Sequence, residues 1–338
     1  MAQSIHAKLE TAELIAHDPA TGEEIGSAPV TMPEDVARAV GRAREAQSAW
    51  ARASFRQRGR VIMKARRIVL KELEEIALLI TRETGKPVSE AIAMEIVPTL
   101  DLMHYFARHA GSLLRRERIG VGLYGWMGRS SYTVCKPLGV VGIISPWNFP
   151  WATPLDEVVM ALMAGNAAVI KPSELTPLTG LKIKDVFARA GLADGLLQVV
   201  TGDGSTGAAL VGAGVDKIMF TGSVATGKRV AEAAAKYLTP VVLELGGKDP
   251  MIVLDDANIE NAARGAVWGA FANSGQCCAA VERCYVHESI AAQFIKAVVE
   301  ETKRLRQGDP VEKSKSRSAS RWLVRGRRFQ TASWREDA

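Results

Sequence analysis

Long hydrophobic runs are missing first of all. No apolar stretch reaches the roughly 18 residues that a membrane span needs. The opening MAQSIHAKLE also lacks the apolar segment of a secretory leader. A cytoplasmic protein with no membrane partner is expected. Cysteine is scarce as well: Cys135, Cys277, Cys278 and Cys284 are too few for a disulfide scaffold, and no CxxC pair accompanies matched histidines. The histidines, His6, His17, His104, His109 and His287, are scattered without ligand spacing, so no metal is expected.

A balance of charge is lacking only at one end. Residues 311–338 hold eight Lys/Arg against three Asp/Glu, net +5 of the chain's +6, which leaves residues 1–310 at +1. Basicity therefore belongs to the tail and gives no broad nucleic-acid footprint. The tail is rich in Ser and Arg without a sustained period, and is expected to be disordered.

What is present reads as an α/β protein. In the first third, Thr31 and Glu34 stand at capping-box spacing around Pro33, followed by Val36, Ala39, Val40, Ala43, Ala46 and Trp50 at helical intervals. Helical periods continue over 54–83 and 88–110, broken by Gly85-Lys86-Pro87, and a strand is expected over 130–136. After Pro137, short apolar runs at 140–144, 167–170, 217–220 and 241–245 alternate with helical segments, and 197–200 offers a fifth run. This is how an open parallel sheet with crossover helices reads, and its strand ends form the usual nucleotide crevice. Past Gly246-Gly247 a second unit is expected: a strand at 251–254, a helix at 257–272, a strand at 284–286 and a helix at 290–305.

Five segments carry candidate chemistry, each with a plainer alternative. On Gly275-Gln276-Cys277-Cys278 a thiol could meet a carbonyl, although cysteines are often simply buried as small apolar residues. Glu244, at the end of an apolar strand, is expected to be buried with a raised pKa suited to a general base, or else to pair with a lysine or cap a helix. Pro146-Trp147-Asn148-Phe149-Pro150-Trp151 offers one amide, Asn148, between apolar walls, or is a proline-rich turn packed on the core. Thr221-Gly222-Ser223 with Gly227 and Lys228 opens a helix where phosphates could sit, yet it lacks the three-glycine fingerprint and the Walker lysine. Lys171 and Glu174 could hold ribose hydroxyls or form a solvated charge pair.

In this order and spacing, from about His17 to Pro310, the five segments together resemble the aldehyde dehydrogenase superfamily. The resemblance, weakly closest to the succinate-semialdehyde branch, implies an aldehyde dehydrogenase-like α/β fold. Its parts would be a Rossmann-type open sheet with helices on both faces and an incomplete α/β catalytic domain. Residues 1–247 would be the N-terminal helices and dinucleotide domain, with 115–136 in an oligomerisation arm, and 248–310 a partial catalytic domain. Further implications are Cys278 as nucleophile, Glu244 as general base, and Asn148 with the Cys278 N–H as oxyanion hole. Cofactor contacts would come from Ile144, Ser145, Pro146, Trp147, Lys171, Ser173, Glu174, Gly222, Ser223 and Gly227. Glu174 favours NAD over NADP because a carboxylate repels a 2′-phosphate; Lys171 leaves NADP open.

Family members continue past the helix near Leu305, so the expectation is a truncated chain whose last residues come from a frameshift. It would lack the glutamate that holds the nicotinamide ribose and the strand that completes the arm, which puts homo-oligomer formation and activity in question. Exposed strand edges would favour aggregation. Three readings result: an active aldehyde-oxidising enzyme, an inactive nucleotide-binding remnant, and a basic-tailed interaction protein.

Overall fold

The structure, a computed structural model, describes residues 13–311; the expected disorder of the tail falls, apart from Val311, outside the described residues. A hairpin of β1 (Glu13–His17) and β2 (Glu24–Pro29) precedes the helices. This hairpin departs from the all-helical reading of the first third. Its strands are mostly solvent-facing, with Ala16 and Ala28 as their buried residues, so the apolar period that marks a strand is faint.

Helix α1 (Pro33–Trp50) starts at Pro33 as expected, but Met32 occupies the cap position without a side-chain bond. Thr31, the expected cap, instead accepts the backbone N–H of Thr201 at 3.0 Å, tying the hairpin exit to the sheet. The long helical segment expected over 54–83 divides at Glu72 into α2 (Phe55–Lys71) and α3 (Leu73–Thr84). Ser54 and Gln57 form a reciprocal capping box on α2. Gly85 ends α3 at φ +74°, a conformation open to glycine and costly for residues with a Cβ. A π-helical turn, Ala91–Ile96, then leads into α4 (Val97–Leu113). Strands β3 (Glu117–Ile119) and β4 (Ser131–Thr133) make a short antiparallel arm carrying exposed Leu123, Tyr124, Trp126 and Met127 between them.

The centre is a parallel sheet of β5 (Val140–Ile144), β6 (Ala167–Lys171), β7 (Leu197–Val199), β8 (Lys217–Gly222) and β9 (Val241–Leu245), in the order β7-β6-β5-β8-β9. Every residue of β5 and β6 is buried, which requires cover on both faces. The cover comes from α1 and the connecting helices α5 (Ala152–Met163), α6 (Pro177–Arg189), α7 (Gly204–Gly212) and α8 (Val224–Ala235). One hydrophobic cluster runs from Val36 to Ala234 through these layers. Buried Glu83 fastens α3 to the start of α6 by accepting the N–H groups of Leu178 and Thr179, each at 2.8 Å; burial raises its pKa to about 7.

Beyond β9 the chain forms β10 (Asp249–Val253), α9 (Ile259–Phe271), a short 3₁₀ turn (Ala272–Gly275), β11 (Val281–Val286) and α10 (Glu288–Lys303). Strands β10 and β11 pair in parallel. Their core is small, with Val253, Ala266 and Phe294 buried at its centre. Among the described residues no helix is long and apolar enough to cross a membrane.

Candidate active site

Pairing of Ile144 with both Lys171 and Phe220 aligns the carboxyl ends of β5, β6 and β8. The loops that follow them therefore open on one edge of the sheet. Ser145 continues the ladder by donating its N–H to the Lys171 carbonyl at 3.1 Å. Here lie Ile144 and Ser145 (buried), Pro146 (half-buried) and Trp147 (exposed), beside Lys171 and Ser173 (buried) and Glu174. Lys171 Nζ stands 3.2 Å from Glu174 Oε2; the lysine is buried and the carboxylate is 47% exposed, so Glu174 presents an acceptor to solvent.

Gly222 and Ser223 lead into α8, where Ser223 caps the helix by accepting the Thr226 N–H. Gly227 is buried against the end of β9: a Cβ there would meet Leu245 at 2.6 Å. Its smallness thus lets α8 lie close to the sheet. The hydroxyl of Ser145 and that of Thr176, both buried, have no hydrogen-bond partner among the described residues. Helix N-terminus, orphan hydroxyls and exposed carboxylate on one sheet edge fit a dinucleotide.

Asn148 reaches the second unit directly. Its Nδ2 donates to the Gln276 carbonyl at 2.8 Å, which joins the loop after β5 to the turn carrying Cys277 and Cys278. Cys278 is exposed and Cys277 half-buried; burial pushes the Cys277 thiol up from its ordinary pKa. A Cβ on Gly247, three residues past Glu244, would lie 3.8 Å from the Cys278 carbonyl oxygen, so the end of β9 also borders this turn.

Glu244 itself departs from expectation. It is exposed rather than buried: on β9 it alternates with half-buried Leu243 and Leu245, which pack on the core, and so it projects to the other face of the sheet, opposite Thr221 in register. The buried carboxylate nearby is Glu157 on α5. Burial first, then the like charges of Asp156 and Glu244, raise its pKa to about 8, and burial raises Asp156 to about 7. The two tryptophans also part company: Trp147 is exposed, whereas Trp151 is fully buried and donates Nε1–H to Thr99.

Residues outside the five motifs surround the Asn148 loop. Buried Lys86 pairs with buried Glu95, and Asn273 bridges Asn148 and Gln276. Two signals pointed this way in the sequence: a lysine held between glycine and proline, and a glutamate interrupting the apolar run 91–96. A groove of about 530 Å³, lined by Glu90, Val267, Trp268, Phe271, Ala272 and Arg304 among others, has none of the motif residues in its walls.

The profile of the aldehyde dehydrogenase family matches residues 6–319, and the chain belongs to that family. It is 38% identical over 298 residues to a 4,4'-diapolycopene aldehyde oxidase of Methylomonas sp, covering 88% of this chain and 56% of that protein. The NAD+ complex of aldehyde dehydrogenase from Bacillus cereus superimposes with a TM-score of 0.86 at 33% identity, covering 91% of this chain and 62% of that one. An NADP-dependent enzyme of E. coli gives 0.85 at 30% identity, with 89% and 62% covered. The chain thus spans less than two thirds of the length of these relatives.

Proposed function

We propose that the protein oxidises an aldehyde to a carboxylic acid with NAD, NADP being the less favoured alternative. One observation carries this reading: the bond from Asn148 Nδ2 to the Gln276 carbonyl, which sets the loop's only side-chain amide beside the Cys278 turn. Cys278 Sγ attacks the aldehyde carbon, and the oxygen takes up negative charge before the second N–H of Asn148 and the backbone N–H of Cys278. Bound nicotinamide supplies the hydride acceptor. The chain is left as a thioester on Cys278, and Glu244 takes a proton from the water that hydrolyses it, freeing the acid and the thiol. Its exposure places the Glu244 carboxylate within reach of water, while the burial expected of a general base is absent.

Ile144, Ser145, Pro146, Trp147, Lys171, Ser173, Glu174, Gly222, Ser223 and Gly227 form the cofactor side of the site in this reading. The exposed carboxylate of Glu174 favours two free ribose hydroxyls over a 2′-phosphate, and Lys171 at its side softens the choice. The exposed apolar tip between β3 and β4 would serve contact with a second copy.

The test is absorbance of reduced nicotinamide with purified protein and an aldehyde panel from charged semialdehydes to long apolar aldehydes, beside a Cys278→Ala control. Turnover that depends on Cys278 supports the reading. A second reading, nucleotide binding without turnover, is favoured by the position of the cofactor residues on the large buried core while Cys278 stands exposed on the small unit. It prevails if NAD raises the melting temperature and no aldehyde is oxidised.

A further inference from the structure

The widened π turn carrying Glu95, in a class of distortion frequent at functional sites, faces the loop after β5. Lys86 and Glu95 are both fully buried and ion-paired. The Lys86 ammonium also donates to the Asn148 carbonyl at 2.8 Å and lies 4.4 Å from the centre of the Phe149 ring. The second oxygen of Glu95 accepts the N–H groups of Trp151 (2.8 Å) and Ala152 (3.1 Å). One buried ion pair therefore grips the Asn148 loop at both its middle and its exit.

From the other side, Asn273 Nδ2 donates to the same Asn148 carbonyl at 2.9 Å and to the Gln276 carbonyl at 3.1 Å. Its backbone N–H is held by Glu90 Oε2 at 2.8 Å. Asn273, Ser274 and Gly275 take successive positive φ values of 52°, 58° and 73°, a conformation that asparagine tolerates better than most side chains. The turn before Cys278 is thus held in a costly shape by bonds that converge on Asn148.

We infer that Asn273 and Lys86 are positioning residues, which fix the Asn148 amide relative to the Cys278 turn through their shared acceptor, the Asn148 carbonyl oxygen. The inference rests on the proposed dehydrogenase reading for its catalytic consequence, but its geometric content can be measured without turnover.

Asn273→Gly removes both donors while keeping the left-handed backbone accessible, and the pair Lys86→Met with Glu95→Gln removes the ion pair without stranding a charge. The probe is iodoacetamide, with alkylation of each cysteine followed by peptide mass mapping and the exposed Cys284 as reference thiol. Asn273→Gly is expected to change the Cys278 rate at least about fivefold through its altered surroundings, with Cys284 and the melting temperature close to wild type. Where the wild type turns over, kcat falls about 10²-fold with KM within about threefold, as for loss of an oxyanion donor. A wild type without turnover defeats the proposed function, and the alkylation rates still decide the positioning role. Unchanged Cys278 rates in both variants overturn it, as does a joint acceleration of Cys278 and Cys284 with a lowered melting temperature.

Discussion

The two halves of the site rest on very different foundations. The proposed cofactor edge is built at the ends of β5 and β6, whose every residue is buried, within a cluster that spans most of the chain. The proposed nucleophile turn belongs to a unit with a small core centred on Val253, Ala266 and Phe294, with Ile252 and Tyr285 exposed on its strands and Leu254 exposed just past β10. Burial of apolar area is the main stabilising contribution, so the first half resists opening and the second does not. What joins them is polar: Asn148 to Gln276, and Asn273 to both.

The largest expected effect comes from breaking the second half chemically. Cys278→Ala should lower turnover by at least about 10³-fold, as loss of a nucleophile does, yet keep the melting-temperature shift that NAD gives. A lost shift would mean that the halves are not separable in this way. Next, hydrogen exchange should be about 10²-fold faster for the amides of β10 and β11 than for those of β5 and β6. Mass-spectrometric exchange with equal protection in both pairs would erase the contrast.

A smaller effect lies in the pH dependence of the first half. Glu157, Asp156 and Glu83 hold protons in the folded state up to about pH 8, 7 and 7, while the unfolded chain releases them near 4. The folded state binds more protons in that window, so their contribution makes stability fall as pH rises from about 4.5 to 8 and levels off above. Glu157→Gln should melt a few degrees above wild type at pH 8 and together with it at pH 4.5; parallel curves at both pH values would refute the assignment. The smallest effect is on cofactor choice: Glu174→Gln should shift the NADP-to-NAD ratio of kcat/KM toward NADP by about tenfold at most, because the carboxylate is half exposed and screened. An unchanged ratio would remove Glu174 from the ribose site.

Legibility followed burial. The strands at 140–144 and 167–170 stand where the apolar runs placed them, since a parallel strand covered on both faces is written as a continuous apolar segment. The hairpin β1-β2 escaped because little of it is buried, and strand β11 begins at Val281 rather than Cys284 because its first residues pair with β10 without an apolar signature. Glu244 was readable as a carboxylate at a strand end but not as exposed, because which face of β9 packs on the core is absent from the local pattern.

By itself, then, the sequence determined the alternation of strands and helices and the set of Cys278, Glu244, Asn148 and the cofactor-edge residues as a family pattern. Both are written in local spacing. Only the tertiary structure decided that β9 is an edge and that Glu157 is the buried carboxylate beside it. It also decided that Lys86, Glu95 and Asn273 converge on the Asn148 loop. Those relations join residues up to 125 positions apart, and desolvation and hydrogen-bond geometry depend on distance in space, which spacing along the chain does not encode.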